Sequence, residues 1–129
     1  ADIEPLTRAE RIRSDFENLT EVERYRIEEI ETISRQLNKF FSIDFEVDHA
    51  TALLNPTESG HHHPENLQLL IKAHNGKKNK KNWERFTIDE QTEYINHVLA
   101  LQTLIASRLD VSLVNDVLES LLERLGKVY

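Results

Sequence analysis

The sequence contains no cysteine and no methionine, and only three glycines and three prolines among its 129 residues. Without cysteine the chain has neither disulfide bonds nor a thiolate zinc site, so a metal ion must be bound through oxygen and imidazole nitrogen. The scarcity of glycine and proline, with 39% hydrophobic and 30% charged residues, indicates an ordered, helix-rich chain. We expect one domain over residues 1–129.

No stretch of the sequence approaches the roughly 20 apolar residues of a membrane-spanning helix, and the N-terminus lacks the pattern of a secretory signal. We therefore expect a cytoplasmic protein that does not associate with membranes. The chain begins at Ala1, so a processed protein and a fragment of a larger enzyme both stay open.

The net charge of −7 argues against a protein that coats nucleic acid by bulk electrostatics. Positive charge is instead concentrated between positions 72 and 85, where six basic residues accompany one acidic residue. This run could form a solvated helix face, but we favour contacts with nucleic-acid phosphates. The residues predicted to make them are Lys72, Lys77, Lys78, Lys80, Lys81 and Arg85.

Residues 1–41 and 84–129 predict helices on either side of a central segment. Apolar residues recur at helical spacing up to position 41, and Thr20 with Glu23 has the pattern of a capping box, which predicts two helices that meet near Asn18. After the centre, "TIDEQTEYINHVLALQTLIASRL" predicts a helix that ends at about Leu109, and a last helix ends at Gly126.

The central segment, residues 42–83, has a different pattern. "FSIDFEVDHATALL" alternates and "LQLLI" is a short apolar run, so both predict strands, separated by the turn-rich loop "NPTESGHHHPEN". "KAHNGKKNKKNWERF" predicts a polar helix of a few turns. The fold class that follows is α+β and mostly helical.

The polar residues of this segment could form a phosphodiester-cleaving site. Such a reaction needs a base for water, a cation for the developing charge and a group that orients the base. Neutral His49 suits the first role, and Asp48 and an amide oxygen suit a Mg²⁺ ion that keeps several waters. Because adjacent strand residues point to opposite faces, Asp48 and His49 can share a cleft only at a strand end or a bulge.

The stretch "VDHATALLNP…GHHHPENLQLLIKAHNGKK" resembles the ββα-metal motif of HNH endonucleases over about residues 45–82. That motif has Asp-His on its first strand, Asn at the start of the second, and His or Asn nine residues later; here Asn75 stands nine residues after Asn66. The resemblance implies Asp48 and Asn75 as metal ligands, His49 as general base and Asn66 as the orienting residue. His74 is the less favoured alternative to Asn75.

The resemblance implies Mg²⁺ as cofactor, for which Mn²⁺ or another divalent ion can substitute. No structural zinc is expected, because Ile71 and His74 stand where many HNH domains have their second cysteine pair. His61, His62 and His63 are not required by the motif, and we interpret them as a solvated loop in preference to a second metal site.

The function implied is a metal-dependent DNA endonuclease with a ββα-metal core flanked by helices, similar to restriction-type members of the family. The expected partner is double-stranded DNA, with a homodimer or a larger recognition subunit left open. The rival interpretation is an HNH-like module that binds DNA or a protein without cutting, which the acidic remainder of the chain favours.

Overall fold

The structure is a computed structural model that describes residues 6–105 and 111–129, with side chains described for 6–102 and 115–129. Its class is α+β and mostly helical, as predicted. The described part contains five α-helices and one two-stranded sheet: α1 (Arg8–Glu17), α2 (Glu21–Phe41), β1 (Phe45–His49), β2 (Leu67–Ile71), α3 (Lys72–Lys78), α4 (Ile88–Ile105) and α5 (Val111–Val128).

Capping interactions separate the first two helices where the sequence predicted the break. The Thr20 hydroxyl accepts a hydrogen bond from the Glu23 amide at 3.1 Å, and the Glu23 carboxylate accepts one from the Thr20 amide at 2.9 Å. This reciprocal pair satisfies amide groups that the first turn of a helix leaves free. Thr87 and Glu90 cap α4 in the same way, whereas its predicted end near Leu109 lies outside the described residues.

The two strands form an antiparallel hairpin in which Asp48 pairs with Gln68 and His49 with Leu67. The second strand covers the "LQLLI" run, as predicted. The first is shorter than its alternating pattern suggested, because Ser42 takes a left-handed conformation (φ 53°) at the end of α2. The side chain of Asn38 then bonds both the amide and the carbonyl of Phe45, which sets where β1 begins.

The sheet packs one face onto α2 and leaves its other face for α3. Apolar residues of both strands join residues of α2, α4 and α5 in one buried cluster: Ile27, Ile30, Ile33, Leu37, Phe41, Phe45, Leu67, Leu69, Ile95, Leu99, Leu121, Leu125 and Val128. Asp48 and Gln68 lie on the opposite face. Within the described residues, no helix is long and apolar enough to cross a membrane.

The helix after β2 is shorter than the sequence predicted. It ends at Lys78, because Asn79 has a positive φ of 48° and breaks the helical path. The chain then returns across the segment that follows β1: the Trp83 amide donates to the Ala50 carbonyl, and the Asn82 side chain accepts from the Ala52 amide. These contacts close the strand-strand-helix unit.

Candidate active site

A cleft of about 480 Å³ opens where β1 ends beside α3. Because His49 is the last residue of β1, the chain can turn there and bring Asp48 and His49 to the same cleft, as the strand-end argument required. The residues lining it come from α1, β1, the loop after β1, α3 and the chain after α3: Arg8, Glu46, Val47, Asp48, His49, Ala52, Leu53, Leu54, Lys72, Asn75, Gly76, Lys78, Asn79 and Lys80.

Asp48 is buried, with 5% of its surface exposed. Its Oδ2 atom accepts a hydrogen bond from Gln68 Nε2 at 3.0 Å, and its Oδ1 atom lies 3.3 Å from the ammonium of Lys78. Burial raises the pKa of the carboxyl group above its usual value, while Gln68 and Lys78 act in the opposite direction. Asp48 is thus a buried carboxylate with one cationic partner at the cleft.

Lys78 supports this site from inside the protein. Its side chain is completely buried, and its ammonium donates a hydrogen bond to the His49 carbonyl at 2.8 Å as well as pairing with Asp48. The prediction that Lys78 contacts a nucleic-acid phosphate is therefore wrong. The sequence could have indicated this, because Lys78 comes three residues after Asn75 and residues three apart lie on the same face of a helix.

His49 is the second buried group, with 5% of its surface exposed. Its Nε2 atom lies 2.9 Å from Nδ1 of His62, and its own Nδ1 atom is buried without a hydrogen-bond partner among the described residues. Burial lowers the pKa of His49 to about 3, with further lowering from His62, Arg8 and Lys78. The imidazole is therefore neutral at pH 7, the form that can accept a proton.

Asn66 holds the loop that joins the two strands. Its Oδ1 atom accepts from the Thr51 amide at 2.8 Å, and its Nδ2 atom donates to the carbonyls of Thr51 at 2.9 Å and His61 at 2.8 Å. The two ends of the loop are thereby fixed to each other. The side-chain hydrogen bonds of Asn66 in the described structure go to Thr51 and His61 and not to His49, so Asn66 fixes the loop segment that carries His62.

Asn75 and His74 lie on different sides of α3. Asn75 lines the cleft, where its Nδ2 atom donates to the Glu46 carboxylate at 3.3 Å. His74 instead bonds the Tyr94 hydroxyl through Nδ1 at 2.8 Å and lines a separate groove beside α4. The arrangement brings Asn75, and not His74, to the cleft that Asp48 and His49 share.

The donor set of the cleft fits a hard divalent ion. Asp48 and Asn75 provide a carboxylate and an amide oxygen, and Glu46 adds a second carboxylate beside Asn75. In the part of the chain that the structure describes, no three His, Cys, Asp or Glu side chains form a metal-binding group. Mg²⁺ needs fewer, because it keeps several waters and uses one or two carboxylates with substrate oxygens.

Besides the buried Lys78, three basic residues line the cleft. Lys72 and Lys80 were predicted to contact nucleic acid and do line it, while the exposed Lys77 and Lys81 lie outside its lining. Arg8, on the first turn of α1, also lines the cleft. The sequence analysis missed Arg8, because 40 positions separate it from Asp48 and no local pattern connects them.

Arg85 is part of the fold. Its guanidinium donates to the carbonyls of Leu67 at 2.9 Å, Pro64 at 3.1 Å and Tyr129 at 2.8 Å, and stacks 3.7 Å from the centre of the Tyr129 ring. These bonds join β2 to the end of α5. The Nε and Nη2 donors of Arg85 are thus used within the protein, and the contact with nucleic acid stays a prediction that these bonds do not favour.

The three consecutive histidines differ in exposure: His61 is exposed, His63 is partly buried and His62 is buried. The interpretation as a solvated loop therefore fits His61 but not His62. His61 lies 3.1 Å from Asp15 of α1, and His63 lies 2.5 Å from Glu23 of α2. His62, between them, is buried against His49. The three adjacent side chains thus point in different directions. Their positions are fixed by acidic residues more than 35 positions earlier in the chain, Asp15 and Glu23.

Comparisons with protein-family models, with curated proteins and with solved structures found no significant match.

Proposed function

We propose that the chain is a metal-dependent DNA endonuclease of the HNH type. The observation that supports it is that Asp48, His49 and Asn75 line one cleft of a strand-strand-helix unit, with basic residues around it. These side chains supply a carboxylate, a neutral imidazole and an amide, which are the groups that phosphodiester hydrolysis with one hard cation requires.

The protein's own residues bind and orient the substrate. Arg8, Lys72 and Lys80 attract the phosphate groups of the strand and place one of them in the cleft. The Asp48 carboxylate and the Asn75 amide oxygen would hold Mg²⁺, or Mn²⁺ in its place, and the bound ion would offset the charge that builds up on the phosphate and the leaving oxygen.

His49 acts as the general base. It takes one proton from a water molecule, whose oxygen forms a bond with phosphorus while the bond from phosphorus to the 3′ oxygen breaks. The leaving 3′ oxygen takes a proton from solvent, and His49 later returns its proton to solvent. By resemblance to the HNH family, the products carry 5′-phosphate and 3′-hydroxyl ends.

A second candidate is an HNH-like module that binds DNA or a partner protein without cutting. The observation that favours it is that both Asp48 oxygens have partners within the protein, Gln68 and Lys78. A metal ion would have to share the carboxylate with a buried ammonium. The acidic chain as a whole also favours docking in a larger restriction-type assembly over independent DNA reading.

A plasmid assay separates the two candidates. Supercoiled plasmid is incubated with the wild type and with His49→Ala, each with Mg²⁺, Mn²⁺ or EDTA, and binding to a labelled duplex is measured in parallel. We expect metal-dependent nicking by the wild type and a rate lower by about 10²–10⁴ in the variant, with DNA binding retained. Binding without cleavage by the wild type would favour the non-catalytic module, and full activity of His49→Ala would exclude His49 as the base.

A further inference from the structure

The proposed reaction does not use the loop histidines, although the structure holds them firmly. The Oδ2 atom of Asp15, on α1, accepts a hydrogen bond from the backbone amide of His62 at 2.8 Å. The Oδ1 atom of Asp15 lies 3.1 Å from Nδ1 of His61. Arg11, one turn earlier, donates to the Gly60 carbonyl at 3.1 Å. One face of α1 therefore fixes the backbone from Gly60 to His62 beside the cleft.

With the backbone in this position, the His62 ring contacts the ring of His49. The ring centres are 5.2 Å apart, the planes are inclined by 49°, and His49 Nε2 lies 2.9 Å from His62 Nδ1. Both rings are buried, and burial favours the neutral form of an imidazole over the charged form. A hydrogen bond between two neutral imidazoles has one hydrogen, which belongs to either His49 or His62.

The surroundings of His49 decide which ring donates. If His62 donated, the hydrogen of His49 would sit on Nδ1, which is buried without an acceptor in the described residues. Buried N–H groups without an acceptor are rare, and acceptors without a donor less so. His49 is therefore the donor.

We propose that His62 is a positioning residue for the general base: its Nδ1 atom accepts the Nε2–H of His49 and so keeps His49 in the tautomer whose Nδ1 carries the free lone pair. Asp15 positions His62 by binding its backbone amide. Nδ1 is buried in this structure, so the attacking water must reach it as the substrate enters the cleft. The Nε2–H bond to His62 would stay intact during the proton transfer, and the ring would not have to turn.

The catalytic part of this inference rests on the proposed endonuclease function, but the hydrogen bond itself can be tested without it. Histidine labelled with ¹⁵N is incorporated, and imidazole spectra are recorded at pH 8 in EDTA. In the wild type we expect a hydrogen-bearing Nε2 and a bare Nδ1 for His49, with ¹⁵N–¹⁵N coupling across the bond to His62 Nδ1. A hydrogen on His49 Nδ1, or no coupling, would overturn the proposal, and this result needs no variant.

Two variants of His62 distinguish positioning from packing. His62→Asn keeps an acceptor close to the place of Nδ1, whereas His62→Phe keeps a ring without an acceptor. We expect the Nε2–H tautomer of His49 to persist in His62→Asn and to be lost in His62→Phe. The matched control is His61→Asn, which changes the neighbouring, exposed histidine that faces Asp15. A tautomer unchanged in His62→Phe would show that His62 does not select it.

The activity of the same variants tests the catalytic consequence. In the plasmid assay kcat should fall by about 10- to 100-fold in His62→Phe, the range known for residues that orient a metal-binding histidine, with KM unchanged. Asparagine at position 62 should restore most of it. Unchanged kcat in His62→Phe would overturn the positioning role. If the wild type does not cut DNA, the endonuclease proposal fails, while the spectra still decide the tautomer.

Discussion

Lys78 illustrates how strongly one residue can depend on its surroundings. Within a run of lysines that looks suited to phosphate binding, this side chain alone is completely buried among the described residues of the run, paired with Asp48 and bonded to the His49 carbonyl. A buried ion pair contributes little net stability, but removing one partner leaves an uncompensated charge. The role of Lys78 is therefore to keep Asp48 ionised inside the protein.

The substitution Lys78→Met should destabilise the protein by about 3–5 kcal/mol, because it leaves the Asp48 carboxylate buried without its cation. Urea unfolding in EDTA measures the free energy of unfolding. The exposed neighbour gives the control, since Lys77→Met should change stability by less than about 0.5 kcal/mol. The double variant Asp48→Leu/Lys78→Met should recover much of the loss; equal costs for the two lysine variants would contradict the buried pair.

Asn75 and His74 offer a second test at the residue scale, because they lie on different sides of α3 and line different clefts. If Asn75 is a ligand, Asn75→Ala should weaken Mn²⁺ binding by at least about 10-fold. Removing a residue that only orients a ligand already weakens binding by about 10-fold, and loss of the ligand itself should cost no less. His74→Ala should leave it unchanged, because His74 bonds Tyr94. Calorimetric titration of both variants decides, and the reverse order would assign the ligand role to His74.

The loop between β1 and β2 is the element on which the site depends most. Asn66 joins its two ends, and Gly60 passes so close to the first end that a Cβ atom there would lie 1.9 Å from the Thr51 carbonyl oxygen and 2.8 Å from Asn66 Nδ2. Any larger residue must displace the backbone. Since His62 follows two positions later, such a displacement would also move the ring that contacts His49.

The substitution Gly60→Ala should therefore lower the free energy of unfolding by about 1–3 kcal/mol, as overpacking of a closed site does. Gly76→Ala is the control, because a Cβ atom at that helical position meets nothing within 4 Å. It should stabilise the protein by about 0.5–1 kcal/mol through its lower backbone entropy cost. Thermal or urea unfolding of both variants gives the comparison. An unchanged free energy of unfolding in Gly60→Ala would mean that the loop is less tightly closed than the contacts indicate.

Local patterns were sufficient for the elements whose ends are set by neighbouring residues. The capping boxes of α2 and α4 and the second strand could be predicted because their signals span only a few positions. The end of α3 and the use of its lysines could not, because they depend on contacts across the fold. Asp48 lies 30 positions before Lys78, and Asp15 lies 47 before His62. Such pairs leave no periodicity in the sequence.

At the scale of the whole molecule, the buried core and the site share the same elements. The strands that place Asp48 and His49 at the cleft also contribute Phe45, Leu67 and Leu69 to the apolar cluster shared with the helices. Charge is distributed unevenly over the molecule. The chain is acidic overall, but Arg8, Lys72 and Lys80 line the cleft. Under the proposed function, these basic residues would attract the anionic substrate to the cleft.

The two buried histidines should make the stability of the whole protein fall in mild acid. Burial lowers the pKa of His49 to about 3 and also lowers that of His62, whereas both titrate near 6.5 when unfolded. Below about pH 6.5 the unfolded chain thus binds more protons than the folded one. Stability is complete above this pH and decreases as the pH falls, by up to about 1.4 kcal/mol per pH unit for each histidine.

Other groups act in different pH ranges or with the opposite sign. The lowered pKa values of Asp15, Glu23 and Glu65 remove stability only below about pH 4.5. The raised pKa of Asp48 works against the histidines, because the folded carboxyl group binds its proton first.

Urea unfolding between pH 7.5 and 5.0 in EDTA should therefore show a decline in stability that becomes much shallower in His49→Gln/His62→Asn. The decline should persist in His97→Gln, which changes an exposed histidine on α4. An equally steep decline in the double variant would place the acid-sensitive groups elsewhere in the protein.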